Sequence, residues 1–349
     1  MDLTLGALLT ELRDPALAAI VALTLGVVLV NGWTDAPNAI ATCVATRAVG
    51  PRAAVLMAAV FNFLGVLTMT ALNASVAATI YGIADFGGDA RAALTALAAA
   101  LFAIVVWASA AWWFGIPTSE SHALTAGVTG AAVALHGGFS GVRWAAWSRV
   151  LWGLGLSTLL GFALGFALAR LTRLLGRGLS RPSANRAFSR AQAAGGAAMA
   201  FMHGAQDGQK FMGIFLLGVC LARGGADAGS FAVPVWLMLL CSAVMALGTS
   251  IGGYRIIKSV GLDMVRLTPP EGFCADLAGA CCLLLSSLGG LPVSTTHTKT
   301  SAVMGVGAAR RLTGVRWDIA WNMALTWILT FPGCGALGYL FAVLFLRVF

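Results

Sequence analysis

Five stretches of this chain, residues 53–80, 92–114, 150–169, 233–249 and 319–346, are almost wholly apolar. Several exceed the roughly 20 residues that a helix needs to cross a bilayer core. Only 10% of the residues are charged and the mean hydropathy is +0.88, where an ordinary soluble domain carries about 25% charged residues. The length of the apolar runs argues against a large soluble helical protein. The expected fold class is an all-α polytopic membrane protein.

The N-terminal "MDLTLGALLTELRDP" has no basic region before its first apolar run and does not read as a cleavable signal. The seven cysteines, Cys43, Cys220, Cys241, Cys274, Cys281, Cys282 and Cys334, lie in or beside apolar segments and form no C-x-x-C pair. They read as small core residues, not as a disulfide frame or a metal site. The net charge of +9 does not indicate a nucleic-acid partner, because six arginines sit together in the acid-free segment 168–192. Such a segment between hydrophobic halves reads as a cytoplasmic loop.

The second half echoes the first. "NGWTD" (31–35) returns as "HGAQD" (203–207), "GIPTSESHALTAGVTG" (115–130) as "GLPVSTTHTKTSAVMG" (290–305), and "GVRW" recurs at 141–144 and 314–317. A nearly constant offset implies an internal duplication. Residues 1–168 form the first repeat, 169–192 a basic linker and 193–349 the second repeat. Each half has a broken span, a second span, an apolar pair around the Gly-Pro-Ser motif and a final span. Whether the pair dips in and returns or crosses fully, the number of crossings is odd. The two repeats are therefore expected to be inverted, with broken helices and re-entrant helical hairpins. Alternation of sides puts fourteen basic residues with the linker and six opposite. That makes the linker cytoplasmic and both termini external.

Charges at membrane depth cost about 2.5–3.5 kcal/mol each on insertion scales, so they are paired or functional. Asp35, Glu120, Asp207, Asp276, Lys210 and Lys299 fall within or against apolar segments, as do His122, His203 and His297. Gly32 with Pro37, and Gly204 with Gly208, predict a helix break beside each repeated aspartate. Unwound backbone at that depth belongs where it lines a cavity. Carbonyls freed beside Asp35 and Asp207 would make oxygen cages for a small cation. In "GIPTSES" and "GLPVSTT", a proline precedes clustered hydroxyls, a pattern that predicts a helix start. Two such N-termini meeting in mid-membrane would hold a tetrahedral oxyanion. A dianion entering a negative interior also works against about 2.3 kcal/mol per charge for each 100 mV, so uptake needs accompanying cations.

These residues resemble the inorganic phosphate transporter (PiT) family, of the bacterial low-affinity permease type. Its signatures G-x-N-D-x-x-N-A and H-G-x-x-D-G-Q-K are matched by "NGWTDAPNAIAT" and "MHGAQDGQKFMG". Its P-x-S-[ST]-[ST]-H tips are matched by "PTSESH" and "PVSTTH", and "FNFLGVL" and "GGYRIIKSVG" also fit. The resemblance implies phosphate symport coupled to Na⁺ or H⁺ in the cytoplasmic (inner) membrane, by a homodimer without a covalent cofactor. It assigns phosphate to Asn38, Thr118, Ser119, Ser121, Gln209, Lys210, Ser294, Thr295 and Thr296. The coupling cation falls to Asn31, Asp35, Asp207, Glu120 and Asp276, with Asp35 and Asp207 as the Na⁺ ligands. The chain departs from the pattern at Thr34 and Gln206, where the family has Asn before the signature Asp. Glu120 stands where its neighbours are hydroxyls and could take a proton or a divalent metal complexed with phosphate.

Sulfate, another tetrahedral oxyanion, is the nearest alternative substrate. An uncoupled channel is a third reading. "GFSG" (138–141) has the form of a rhomboid protease nucleophile, but it lies in a short polar loop and its second-half counterpart lacks the serine.

Overall fold

The computed structural model describes residues 3–116, 118–178, 180–224, 232–251, 257 and 264–349, leaving aside the side chain of Arg181. Among these residues the regular structure is helical throughout. In order the helices are α1 (Leu5–Glu11), α2 (Pro15–Thr34), α3 (Pro37–Ala45), α4 (Pro51–Leu72), α5 (Ser75–Tyr81), α6 (Ala90–Trp113), α7 (Glu120–His136), α8 (Trp144–Leu175), α9 (Arg181–Ala222), α10 (Val235–Ile251), α11 (Pro269–Leu288), α12 (Thr295–Arg310) and α13 (Trp317–Val348). Their starts carry local stop-and-start chemistry. The Asp14 carboxylate accepts from Ala16 N ahead of Pro15, Asp89 caps α6, and Thr268 with Glu271 forms a capping box on α11.

Among the described residues six segments are long and apolar enough to cross a membrane: Pro15–Ala45, Pro51–Leu72, Ala90–Trp113, Trp144–Gly178, Pro269–Leu288 and Trp317–Val348. Large apolar side chains such as Trp152 and Leu159 on α8, and Trp321 and Ile328 on α13, face outward. Water would penalise that surface and lipid does not.

The repeated motifs become repeated elements. Both α7 and α12 are followed by a 3₁₀ turn (Phe139–Gly141, Leu312–Gly314) and then by a 32-residue helix, α8 or α13. Packing between the halves is reciprocal. Helix α4 lies on α9 while α2 lies on α10, and α7 lies on α13 while α12 lies on α8. Helices α6 and α7 form one hairpin and α11 and α12 another. At the open end of the first, the His136 ring is 3.0 Å from Asp85 O; at the open end of the second, Arg310 is 4.0 Å from Glu271.

One expected break is present and its counterpart is not. Between α2 and α3, Pro37 has no N–H for Trp33, while Asn38 N and Ala39 N bond to Asp35 O and Ala36 O. The carbonyls of Trp33 and Thr34 thus lose their helical donors. In contrast α9 runs unbroken through His203–Lys210. A Cβ at Gly204 would stand 2.8 Å from Asn62 Cα, and one at Gly208 would stand 2.6 Å from Val66 Cγ2. These glycines, four apart, let α4 approach closely rather than unwind α9. No proline is present there to force a break. The same contact logic applies to Gly32, where a Cβ would meet Met245 O on α10 at 2.7 Å.

The basic segment 169–192 is also mostly helix, with α8 reaching Leu175 and α9 beginning at Arg181. Arginine is a good helix former, and at the end of α8 it complements the helix dipole. The "GGYRIIKSVG" match, with Arg255 and Lys258, lies outside the described residues apart from Ile257, as does Pro117 of the first tip.

Candidate functional site

The two signature aspartates, 172 positions apart, meet in the core. Asp35 follows α2 at the break and Asp207 sits mid-way along α9; both are buried. Thr295 Oγ1 at the start of α12 lies 3.3 Å from Asp35 Oδ2 and 3.4 Å from Asp207 Oδ2, bridging them. His203, one helical turn before Asp207 and on the same face, brings Nε2 to 3.3 Å from Asp207 Oδ2. Ligand atoms of Asp35, His203 and Asp207 lie within 4.8 Å of one another.

The two carboxylates are differently served. Asp207 receives Lys210 Nζ at 2.6 Å and Asn31 Nδ2 at 3.0 Å. Asp35 receives Asn38 Nδ2 at 2.6 Å, together with the hydroxyls of Thr296 and Thr295. Every hydrogen-bond donor on Asp35 is therefore neutral, whereas Asp207 has an ammonium group. Around them Asn31 Oδ1, Asn38 Oδ1 and Glu120 Oε2 are buried without a donor. Glu120 itself, in the first turn of α7, accepts from the Thr34 hydroxyl through Oε1.

The hairpin tips close the site from two sides. Ser119 and Ser294 cap α7 and α12 by accepting from His122 N and His297 N at 3.4 and 3.2 Å. Lys210 Nζ ties the tips together, donating to Ser121 Oγ at 2.5 Å and to Val293 O at 2.6 Å. The rings of His122 and His297 meet edge to face at 4.4 Å, and His297 stacks on Trp327 at 3.6 Å. Each N-terminus presents its partial positive charge to this space. A site with two acids, a lysine, hydroxyls and helix N-termini can hold an anion and a cation side by side.

Not every residue singled out in the sequence converges here. Thr118 is half-buried just ahead of the α7 cap. Gln209, two positions beyond Asp207, faces away and donates to Asn73 O at 2.8 Å at the α4–α5 turn. Asp276 on α11 bonds Lys299 of α12 and the Thr42 hydroxyl of α3. Ser140 is exposed in its 3₁₀ turn. Residues absent from the expected set contribute contacts, among them His203, Thr34 and Thr42. The i,i+4 spacing of His203 and Asp207 on an unbroken helix was the signal for the first. Nothing in the sequence pairs Thr34 with Glu120.

Comparison with known proteins agrees with this architecture. The profile of the Phosphate transporter family matches residues 31–338. A protein of Bacillus subtilis (strain 168) described as "Probable low-affinity inorganic phosphate transporter" is 37% identical over 309 residues, covering 88% of this chain and 91% of the relative. A protein of Rhizobium meliloti (strain 1021) with the same description is 37% identical over 329 residues, covering 94% and 96%. Among solved structures, "The sodium-dependent phosphate transporter" superposes with a TM-score of 0.85 at 24% identity, covering 96% of this chain and all of that one. With its fold, its paired signatures and these relatives, the chain belongs to the phosphate transporter family.

Proposed function

We propose that this protein is a symporter that carries inorganic phosphate inward across the cytoplasmic membrane together with Na⁺ or H⁺. The observation that carries the reading is the contrast between the two buried aspartates. Asp207 has a lysine beside it. Asp35 has only neutral donors, and Asn31 Oδ1, Asn38 Oδ1 and Glu120 Oε2 near the two acids have none. A buried carboxylate ringed by oxygen acceptors suits a small hard cation or a proton. The phosphate belongs on the other side, against the first turns of α7 and α12, with Ser121, Thr295, Thr296 and Lys210 as ligands. Ser119 and Ser294 act there as caps that turn backbone N–H groups toward it.

Carrying both ions together has an electrical reason. A dianion alone entering against about 100 mV works against about 4.6 kcal/mol, and each accompanying cation removes about 2.3 kcal/mol of that. The reciprocal packing of the halves supports a pseudo-two-fold arrangement of inverted repeats with the site on the axis. The arginine-rich end of α8 and start of α9 is then the cytoplasmic side and both termini are outside. Glu120 is positioned to take a proton or the metal of a metal–phosphate complex, and the assembly is a homodimer, as the family resemblance implies.

The test is uptake of radiolabelled phosphate into proteoliposomes with imposed Na⁺ or pH gradients and sulfate as competitor. Accumulation driven by one of the two gradients supports the reading. Uptake indifferent to both gradients, or inhibited by sulfate as strongly as by unlabelled phosphate, overturns it.

A further inference from the structure

Helix α3 and its C-cap carry a polar residue at every fourth position, Asn38, Thr42 and Thr46, so the three lie along one stripe. Each is bonded to a helix from beyond the first repeat. Asn38 Nδ2 donates to Thr296 Oγ1 of α12 at 3.1 Å. Thr42 Oγ1 accepts from Lys299 Nζ of α12 at 3.1 Å and also bonds Asp276 of α11. Thr46 Oγ1 donates to Gln192 Oε1 of α9 at 2.7 Å. The stripe starts at Asp35 and ends beside exposed Arg47, at the end of the molecule where α8 passes to α9. In its middle sits an ion pair, Asp276–Lys299, with both side chains fully buried.

A permanent wall would not be built this way. Replacing a buried ion pair by well-packed apolar residues is often neutral or stabilising, so the pair is a poor choice if the seam only has to hold. Buried polar atoms without partners also lie at both ends of the stripe, Asn38 Oδ1 beside the central site and Gln192 Nε2 beside Thr46. A seam whose two charges are of opposite sign suits the passage of an anion together with a cation. Each departing ion can replace one partner of the pair, so neither the protein charges nor the cargo charges are left alone.

We propose that the α3–α12 seam is the route by which phosphate and its cation leave the central site toward the linker side, and that Asp276–Lys299 is its gate. Lys299 exchanges Asp276 for the departing phosphate while Asp276 receives the cation, and the pair re-forms behind them. Thr42 holds the two in register. This rests on the transport reading above.

Cys43 offers a native reporter. It is fully buried, with Sγ 3.5 Å from Asp276 Oδ2 and 3.4 Å from Gln192 O. In protein whose other six cysteines are replaced by alanine or serine, labelling by a membrane-impermeant maleimide is followed in sided proteoliposomes. With the pair intact, phosphate plus the coupling cation is expected to raise Cys43 labelling from the linker side alone by about tenfold, since thiol reactivity follows exposure. K299M and D276N are each expected to give that faster labelling without substrate, and to lose phosphate uptake; T42V gives a smaller increase. A Cys241-only protein, whose thiol is equally buried on α10, should stay unlabelled in the same variants, which separates gate opening from unfolding. If phosphate uptake is normal but Cys43 labelling does not respond to substrate, or responds from the opposite side, the gate proposal is overturned while the transport reading stands. If the intact-pair protein shows no coupled phosphate uptake, it is the transport reading that fails.

Discussion

Asn31 Nδ2 donates to Asp207 Oδ2 at 3.0 Å, joining the first signature of one half to the second signature of the other across 176 residues of chain. The bond uses the donor end of the amide and leaves Asn31 Oδ1 buried without a donor. With Lys210 Nζ 2.6 Å from the other oxygen of the same carboxylate, Asp207 is neutralised from within the protein and Asp35 is not. The two aspartates therefore have different mutational signatures.

Replacing Asp35 by Asn removes the carboxylate that lacks a protein cation. Gradient-driven phosphate accumulation is expected to fall by about tenfold or more, the ratio produced by losing 1.4 kcal/mol of cation affinity. Phosphate exchange at equal concentrations should fall less. Accumulation and counterflow measured on the same proteoliposomes check this, and equal losses would contradict the assignment of Asp35 to the cation.

Lys210→Met leaves Asp207 charged and buried, with Asn31, Thr295 and His203 as its remaining polar partners and Asp35 close by. Removing one partner of a buried pair typically costs about 3–5 kcal/mol. The melting temperature in detergent should drop sharply, and D207N/K210M should recover most of it without recovering transport. A single variant as stable as the parent would show that the pair is not a structural element.

Gly204→Ala should destabilise the protein, because its Cβ would stand 2.8 Å from Asn62 Cα on α4 and neither backbone can yield cheaply. Gly26→Ala, on α2 with no atom within 4 Å of the added Cβ, should be neutral or gain up to about 1 kcal/mol from helix propensity. Thermal unfolding of the two variants side by side provides the measurement.

Asp85, in the loop before α6, accepts from Gly87 N at 3.0 Å and pairs with Arg143 at 2.9 Å. The Gly87 bond, followed by the arginine, holds its carboxyl below the ordinary 3.8. A depressed folded value means that the stabilisation is complete above the unfolded pKa and is lost as pH falls through the folded one. Asp85→Asn should therefore lower the melting temperature near pH 7, and the gap from the parent should close as pH drops below about 4. A gap that does not depend on pH would remove the ionic explanation.

Ser140→Ala should leave phosphate uptake unchanged, because Ser140 is exposed in the Phe139–Gly141 turn. Loss of uptake in a stably folded variant would require a role for this turn that none of its contacts suggests.

Run lengths, the duplicated motifs and the depth of the charged residues were all legible along the chain. They led to a helical membrane protein with paired signatures, because apolar length and motif spacing are local, one-dimensional properties. Pro37 announced the break after Asp35 for the same reason: a missing N–H acts on its own helix wherever it is placed. Gly204 and Gly208 did not carry that information, since a glycine serves equally to unwind a helix or to admit a neighbour, and only the presence of α4 decides which. Gln209 and Asp276 show the same limit. Their depth was readable, but the helix face opposite each was not, and so Gln209 turned to the α4–α5 corner while Asp276 found Lys299. Lys210 stands three positions after Asp207 on α9, so that pairing is local, whereas only the tertiary structure brought the Thr295 and Thr296 hydroxyls to Asp35 and the Asn31 amide to Asp207. A buried charge takes its chemical character from the groups packed against it, and these hydroxyls and this amide come from segments more than a hundred residues away.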